Sequence, residues 1–96
     1  MEWSYSKNNN DYSYYLILEN FKIYFNLELE EEKAMICIAI GEKENVLNYF
    51  STVITTYLKK EEVETLISDI EKEIKEKNIN SFKELCLLVL NKMIIN

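Results

Sequence analysis

The chain has no histidine, arginine, proline or glutamine, and among its 96 residues the only glycine is Gly41. Each absence removes a chemistry. Histidine is the side chain that titrates nearest neutral pH. Without it, general acid–base work falls to Asp, Glu, Lys, Cys or Tyr in a desolvated pocket, and no such residue is marked out by its neighbours. Phosphate-cradling loops need several glycines at a strand-to-helix turn, and Gly41 stands alone. A structural zinc site asks for four Cys or His ligands, whereas the chain offers only Cys37 and Cys86. Both sit in apolar surroundings, where a reduced thiol behaves as a small hydrophobe. The run Glu30-Glu31-Glu32 lacks the spaced oxygen ligands of a calcium loop. The expectation is a protein with no cofactor, no metal and no catalytic residues.

Positive charge is also scarce. Eleven lysines face 17 acidic residues, a net charge of −6. Phosphate backbones are bound mainly through Lys and Arg, so direct nucleic-acid binding is disfavoured. The deficit is uneven: residues 1–58 hold 4 Lys against 9 acids, residues 59–96 hold 7 against 8. No apolar run approaches the roughly 18–20 residues needed to span a bilayer, and the N-terminal residues lack the basic start and apolar stretch of a signal peptide. A cytoplasmic protein without a membrane segment is expected. With 48% hydrophobic and 29% charged residues the composition is globular, and the length suits a single domain over 1–96, with a sheet half (1–58) and a helical half (59–96).

Alternation carries the sheet half. Residues 11–29 read as a β-hairpin, with Tyr12, Tyr14, Leu16 and Leu18 on one face of the first strand and Phe21, Ile23, Phe25, Leu27 and Leu29 on one face of the second. A turn at Glu19-Asn20, where Asn tolerates the left-handed conformation, pairs Leu18 with Phe21, Leu16 with Ile23, Tyr14 with Phe25 and Tyr12 with Leu27. The opposite face then pairs Tyr15 with Tyr24 and Ser13 with Asn26. A third strand over Lys33–Ile40 is apolar on both faces and so belongs at the centre of the sheet. The charged link Glu30–Lys33 sets Ile36 beside Leu27 and Ile38 beside Phe25. Gly41–Asn45 reads as a loop. Val46–Leu58, rich in β-branched and aromatic residues, reads as a long strand whose inward face is ambiguous, with a helical turn at Asn45–Phe50 as the alternative. Residues 2–7 suit an edge strand and Asn8–Asn10 a loop.

From Lys60 to Lys77 the period becomes helical, with Val63, Leu66, Ile67, Ile70 and Ile74 on one stripe. Glu71/Lys75 and Glu73/Lys77 have the favourable order for i,i+4 pairs. Asn78-Ile79-Asn80 breaks this helix, and Ser81-Phe82-Lys83-Glu84 is a capping box for a second one reaching about Ile95. The fold class is therefore α+β: an antiparallel β-meander of four to five strands, then two C-terminal helices packed on one face.

Two surfaces are suited to partners. The outer sheet face and hairpin tips combine Tyr15 and Tyr24 with Glu28, Glu30, Glu31 and Glu32, aromatic anchors beside negative charge. The last helix is apolar nearly all round. Phe82, Leu85, Cys86, Val89 and Met93 make one face, while Leu87, Leu90, Ile94 and Ile95 spill onto others. Either the first helix covers the excess, or Leu87, Leu90 and Ile94 form a self-interface in a homodimer.

In size, acidity and lack of catalytic motifs the chain resembles the small inhibitors that phages and mobile elements make against bacterial defence nucleases, anti-CRISPR proteins among them. The resemblance implies a non-enzymatic inhibitor of a basic, nucleic-acid-handling protein partner, a nuclease or its complex. The alternatives are an immunity protein or antitoxin, and a homo-oligomeric accessory subunit built on the apolar last helix.

Overall fold

A computed structural model of the chain describes residues 2–8, 11–31 and 33–95. Five strands form one antiparallel sheet: β1 (Glu2–Asn8), β2 (Asp11–Ile17), β3 (Phe21–Leu29), β4 (Ala34–Glu42) and β5 (Tyr49–Thr56). Their order in space follows their order in sequence. Two helices follow, α1 (Lys60–Lys77) and α2 (Phe82–Ile95), and both lie on the same face of the sheet. The α+β meander read from the sequence is the fold observed.

Register follows the alternation. Tyr12, Tyr14 and Leu16 stand opposite Leu27, Phe25 and Ile23, and Leu27, Phe25 and Ile23 stand opposite Ile36, Ile38 and Ile40. All of these face inward and are buried. A one-residue slip would turn the whole set to solvent, so burial of this face fixes the pairing. The β2–β3 turn falls at Glu19-Asn20 and is closed by the Leu18 N–H donating to the Phe21 carbonyl at 2.8 Å. Its expected mechanism is corrected: neither residue takes a positive φ. The Asn20 carbonyl is held instead by the Lys43 N–H at 2.9 Å, an extension of the β3–β4 ladder into the turn.

Several strand boundaries differ from the sequence reading, among them the end of β5, at Thr56 and not Leu58. Strand β4 continues through Gly41 to Glu42, because the β3 partners of those residues, Lys22 and Phe21, are still available for pairing. Strand β5 begins at Tyr49 rather than Val46. Asn45 captures the intervening residues: its Oδ1 accepts from the Leu47 N–H at 3.2 Å and its carbonyl accepts from the Asn48 N–H at 3.0 Å. Such local bonds compete with a ladder and win where no partner strand is at hand. The inward residues of β5 are Phe50, Thr52 and Ile54, opposite Ile40, Ile38 and Ile36. Asn8 ends β1, while Asn9 and Asn10 of the expected loop lie outside the described residues.

The helices close the core. Val63, Leu66, Ile67, Ile70 and Ile74, the stripe expected of α1, are all buried. Lys60, at the start of α1, sets its ammonium 4.4 Å from the centre of the Tyr12 ring and so ties the helix to β2. The helix ends where Asn78 adopts the left-handed conformation, φ 50° and ψ 52°. The Ser81 hydroxyl then accepts from the Glu84 N–H at 3.2 Å, the serine arm of the expected box. Helix α2 packs against α1, β4 and β5, burying Leu85, Val89 and Met93. Among the described residues, no helix is long and apolar enough to cross a membrane.

Candidate functional site

Because both helices cover the inner face, the outer face of the sheet is bare, and register lays its residues out in rows. From one end these are Asp11, Glu28, Met35 and Thr55; Ser13, Asn26, Cys37 and Val53; Tyr15, Tyr24, Ala39 and Ser51; Ile17, Lys22, Gly41 and Tyr49. Polar chains hold the middle in place. The Asn26 amide donates to Ser13 Oγ at 3.1 Å, and Ser13 Oγ lies 3.4 Å from the Tyr24 hydroxyl. The Tyr15 and Tyr24 rings stand opposite each other, as the hairpin register requires, with centres 4.6 Å apart and planes tilted by 33°. Such a cross-strand aromatic pair adds a few tenths to about 1 kcal/mol.

The final row opens into a groove of about 770 Å³ lined by Tyr15, Lys22, Tyr24, Ala39, Gly41, Glu42, Lys43, Val46, Asn48 and Tyr49. Small residues make the floor. The Tyr49 ring lies over Gly41, 3.7 Å from where a Cβ would stand, an ordinary contact distance. The far wall is the Asn45–Asn48 turn, which the Asn48 amide pins by donating to the Glu42 carboxylate. Tyr49 remains 62% exposed, and Val46 and Leu47 beside it are exposed as well.

The aromatic and acidic parts of the expected surface are separated. Tyr15 and Tyr24 line the groove. Glu28 is exposed at the opposite end of the same face, four residues from Tyr24, or about 13 Å along the strand. Glu30 and Glu31 are exposed on the β3–β4 link beyond it, with Glu30 3.7 Å from Lys33 Nζ. Glu32 lies outside the described residues. Lys22, Gly41, Lys43 and Tyr49 were not singled out by sequence. The β3–β4 register, extended one residue past Ile40, would have placed Gly41 beside Lys22.

On the helical side, Leu87 is 50% exposed and Leu90 half-buried, while the side chain of Ile94 is outside the described set. Leu88, assigned to neither face by its spacing, packs against the core together with Phe82 and Cys86. The two cysteines lie on opposite sides of the sheet, Cys37 in an outer row and Cys86 on α2 beneath the inner face, and both are free. Burial pushes the Cys86 thiol above its ordinary value. Among the described residues, no three Cys, Asp or Glu side chains are gathered as a metal ion would need.

No protein-family model matches this sequence, and no curated protein and no solved structure is significantly similar to it.

Proposed function

We propose that the chain is a non-enzymatic protein-binding domain acting in the cytoplasm, and that it inhibits a basic, nucleic-acid-handling protein by covering the surface its nucleic acid would use. The observation that carries this reading is the uncovered outer face of the sheet. Tyr15 on β2 and Val53 on β5 are 45% and 56% exposed there, so the face offers apolar anchors on both sides of its two central strands. The occupant is chosen by charge. The sheet half holds 4 Lys against 9 acids, and Asp11, Glu28, Glu30 and Glu31 are all exposed at one end of it. A basic partner gains from that field, which steers encounter and sets orientation. Self-association through α2 is the second reading, favoured by the half-exposed Leu87.

The test is capture on the immobilised chain at about 50 and 500 mM salt, where the Debye length falls from roughly 14 to 4 Å. Each retained protein is identified and its nuclease activity assayed with and without the free chain. Reversing Glu28, Glu30 and Glu31 to Lys should weaken binding and inhibition about tenfold or more. Reversing Glu61, Asp69 and Glu76, exposed acids of α1, should not. Equal losses in the two triple variants, or retention that ignores salt, would overturn the reading.

A further inference from the structure

The groove end of the outer face has a chemistry opposite to that of the acidic tip. Lys22 and Lys43 both line it. Although acids outnumber lysines 17 to 11 in the chain, neither lysine forms an ion pair among the described residues. Among the described residues the carboxylate lining the groove is that of Glu42, which takes a hydrogen bond from the Asn48 amide. Both lysines are exposed and share the groove lining with Tyr15, Tyr24 and Tyr49. The Lys43 N–H bonds to the Asn20 carbonyl and Lys22 pairs with Gly41, so both lysines belong to the same end of the β3–β4 ladder.

We propose that this groove binds a free nucleotide, its base lying against Tyr24 and Tyr49 and its phosphate between Lys22 and Lys43. Aromatic faces take bases by stacking, whatever the base. Lysine ammoniums are compact point charges that suit a phosphate. The volume of about 770 Å³ lies within the usual range for small-molecule sites and is ample for one nucleotide. The site is also built before the ligand arrives. The Asn45 turn fixes the wall, and Ser13 Oγ lies 3.4 Å from the Tyr24 hydroxyl. The free nucleotide is preferred to a nucleic-acid strand because strand binding draws on many phosphate contacts, and a chain of net charge −6 offers two cations here. This site goes beyond the protein-binding reading and does not rest on it: the two surfaces meet at Tyr15, but the lysines of the groove lie at the end away from Glu28, Glu30 and Glu31.

Calorimetric titration at about 0.15 M salt tests it with four probes: adenosine 5′-monophosphate, adenosine, inorganic phosphate and a ten-residue single-stranded oligoadenylate. The monophosphate should bind at least about tenfold more tightly than adenosine or phosphate alone. Tyr49→Ala, and Lys22→Ala with Lys43→Ala, should each weaken it about tenfold, with Tyr49→Phe close to wild type and unchanged thermal melting in all variants. The triple reversal of Glu28, Glu30 and Glu31 should leave nucleotide binding intact. No saturable binding by the monophosphate overturns the proposal. So does equal affinity for phosphate alone, tighter binding of the oligonucleotide, or binding that survives the tyrosine and lysine variants.

Discussion

Glu73 on α1 and Lys92 on α2 form an ion pair, Oε2 to Nζ 3.4 Å, which joins the two helices across their packed faces. The same carboxylate reaches Lys77 one turn along α1, Oε1 to Nζ 3.4 Å. Burial works to raise the Glu73 carboxyl, but hydrogen bonds and charge from Lys77 and Lys92 outweigh it and hold the group below its ordinary value of 4.5.

A depressed carboxyl favours the folded state only while it is ionised. Its contribution is therefore present above the ordinary value of 4.5 and is lost as pH falls through the lower folded value. Glu73→Gln should lower the urea midpoint at pH 7, and the gap between variant and wild type should narrow steadily below about pH 4.3. Parallel denaturation curves between pH 3 and 7 check this. A gap that widens in acid would contradict the assignment.

The left-handed Asn78 gives a second prediction. A Cβ is costly at φ 50° and a glycine is not. Asn78→Ala should destabilise the fold by about 1 kcal/mol, and Asn78→Gly should be neutral or slightly stabilising. Thermal melts of the two variants suffice, and equal melting temperatures would show that the helix end does not need this conformation.

Within α2 the cost of truncation should follow burial, not hydrophobicity. Leu85 is fully buried and Leu87 half exposed. Leu85→Ala should cost about 2–5 kcal/mol and Leu87→Ala under about 1 kcal/mol. If α2 also carries a self-interface, Leu87→Glu should stay folded while its sedimentation mass drops to that of a monomer. A monomeric wild type would remove that reading of the helix.

Removing both helices strips the cover from Leu16, Ile23, Phe25 and Ile38, none of them more than 1% exposed in the whole chain. A fragment of residues 1–58 should therefore aggregate, retaining strand content by circular dichroism without a cooperative melt. A soluble, two-state fragment would show that the sheet stands on its own.

How far the sequence could be read depends on whether a signal was local. The hairpin register and the buried stripe of α1 were legible because alternation and helical period act within one element, and burial punishes any slip. Val46 and Leu47 misled because their β-propensity is real, yet it carries weight only beside a partner strand, and Asn45 claims their backbone first. The tyrosine pair was legible as soon as the hairpin was in register. The groove was not: Lys22, Gly41, Lys43 and Tyr49 come from β3, β4, the loop and β5. No spacing within one element announces their meeting. For the same reason the acids and tyrosines, close together in sequence, looked like one surface, although the strand rise sets them at opposite ends.

The order of the strands, each beside its neighbour in the chain, bears on how quickly the fold can be reached. No long segment has to be threaded or closed before a strand finds its partner, so the entropy lost in each closure is that of a short link. Among β-rich chains, those whose pairings are local in sequence reach the native state fastest. The hairpin of β2 and β3, joined by Glu19-Asn20, is the natural seed, and growth from it passes outward one hairpin at a time. Substitutions in that tight link should slow refolding, whereas those at the start of α1 should chiefly hasten unfolding.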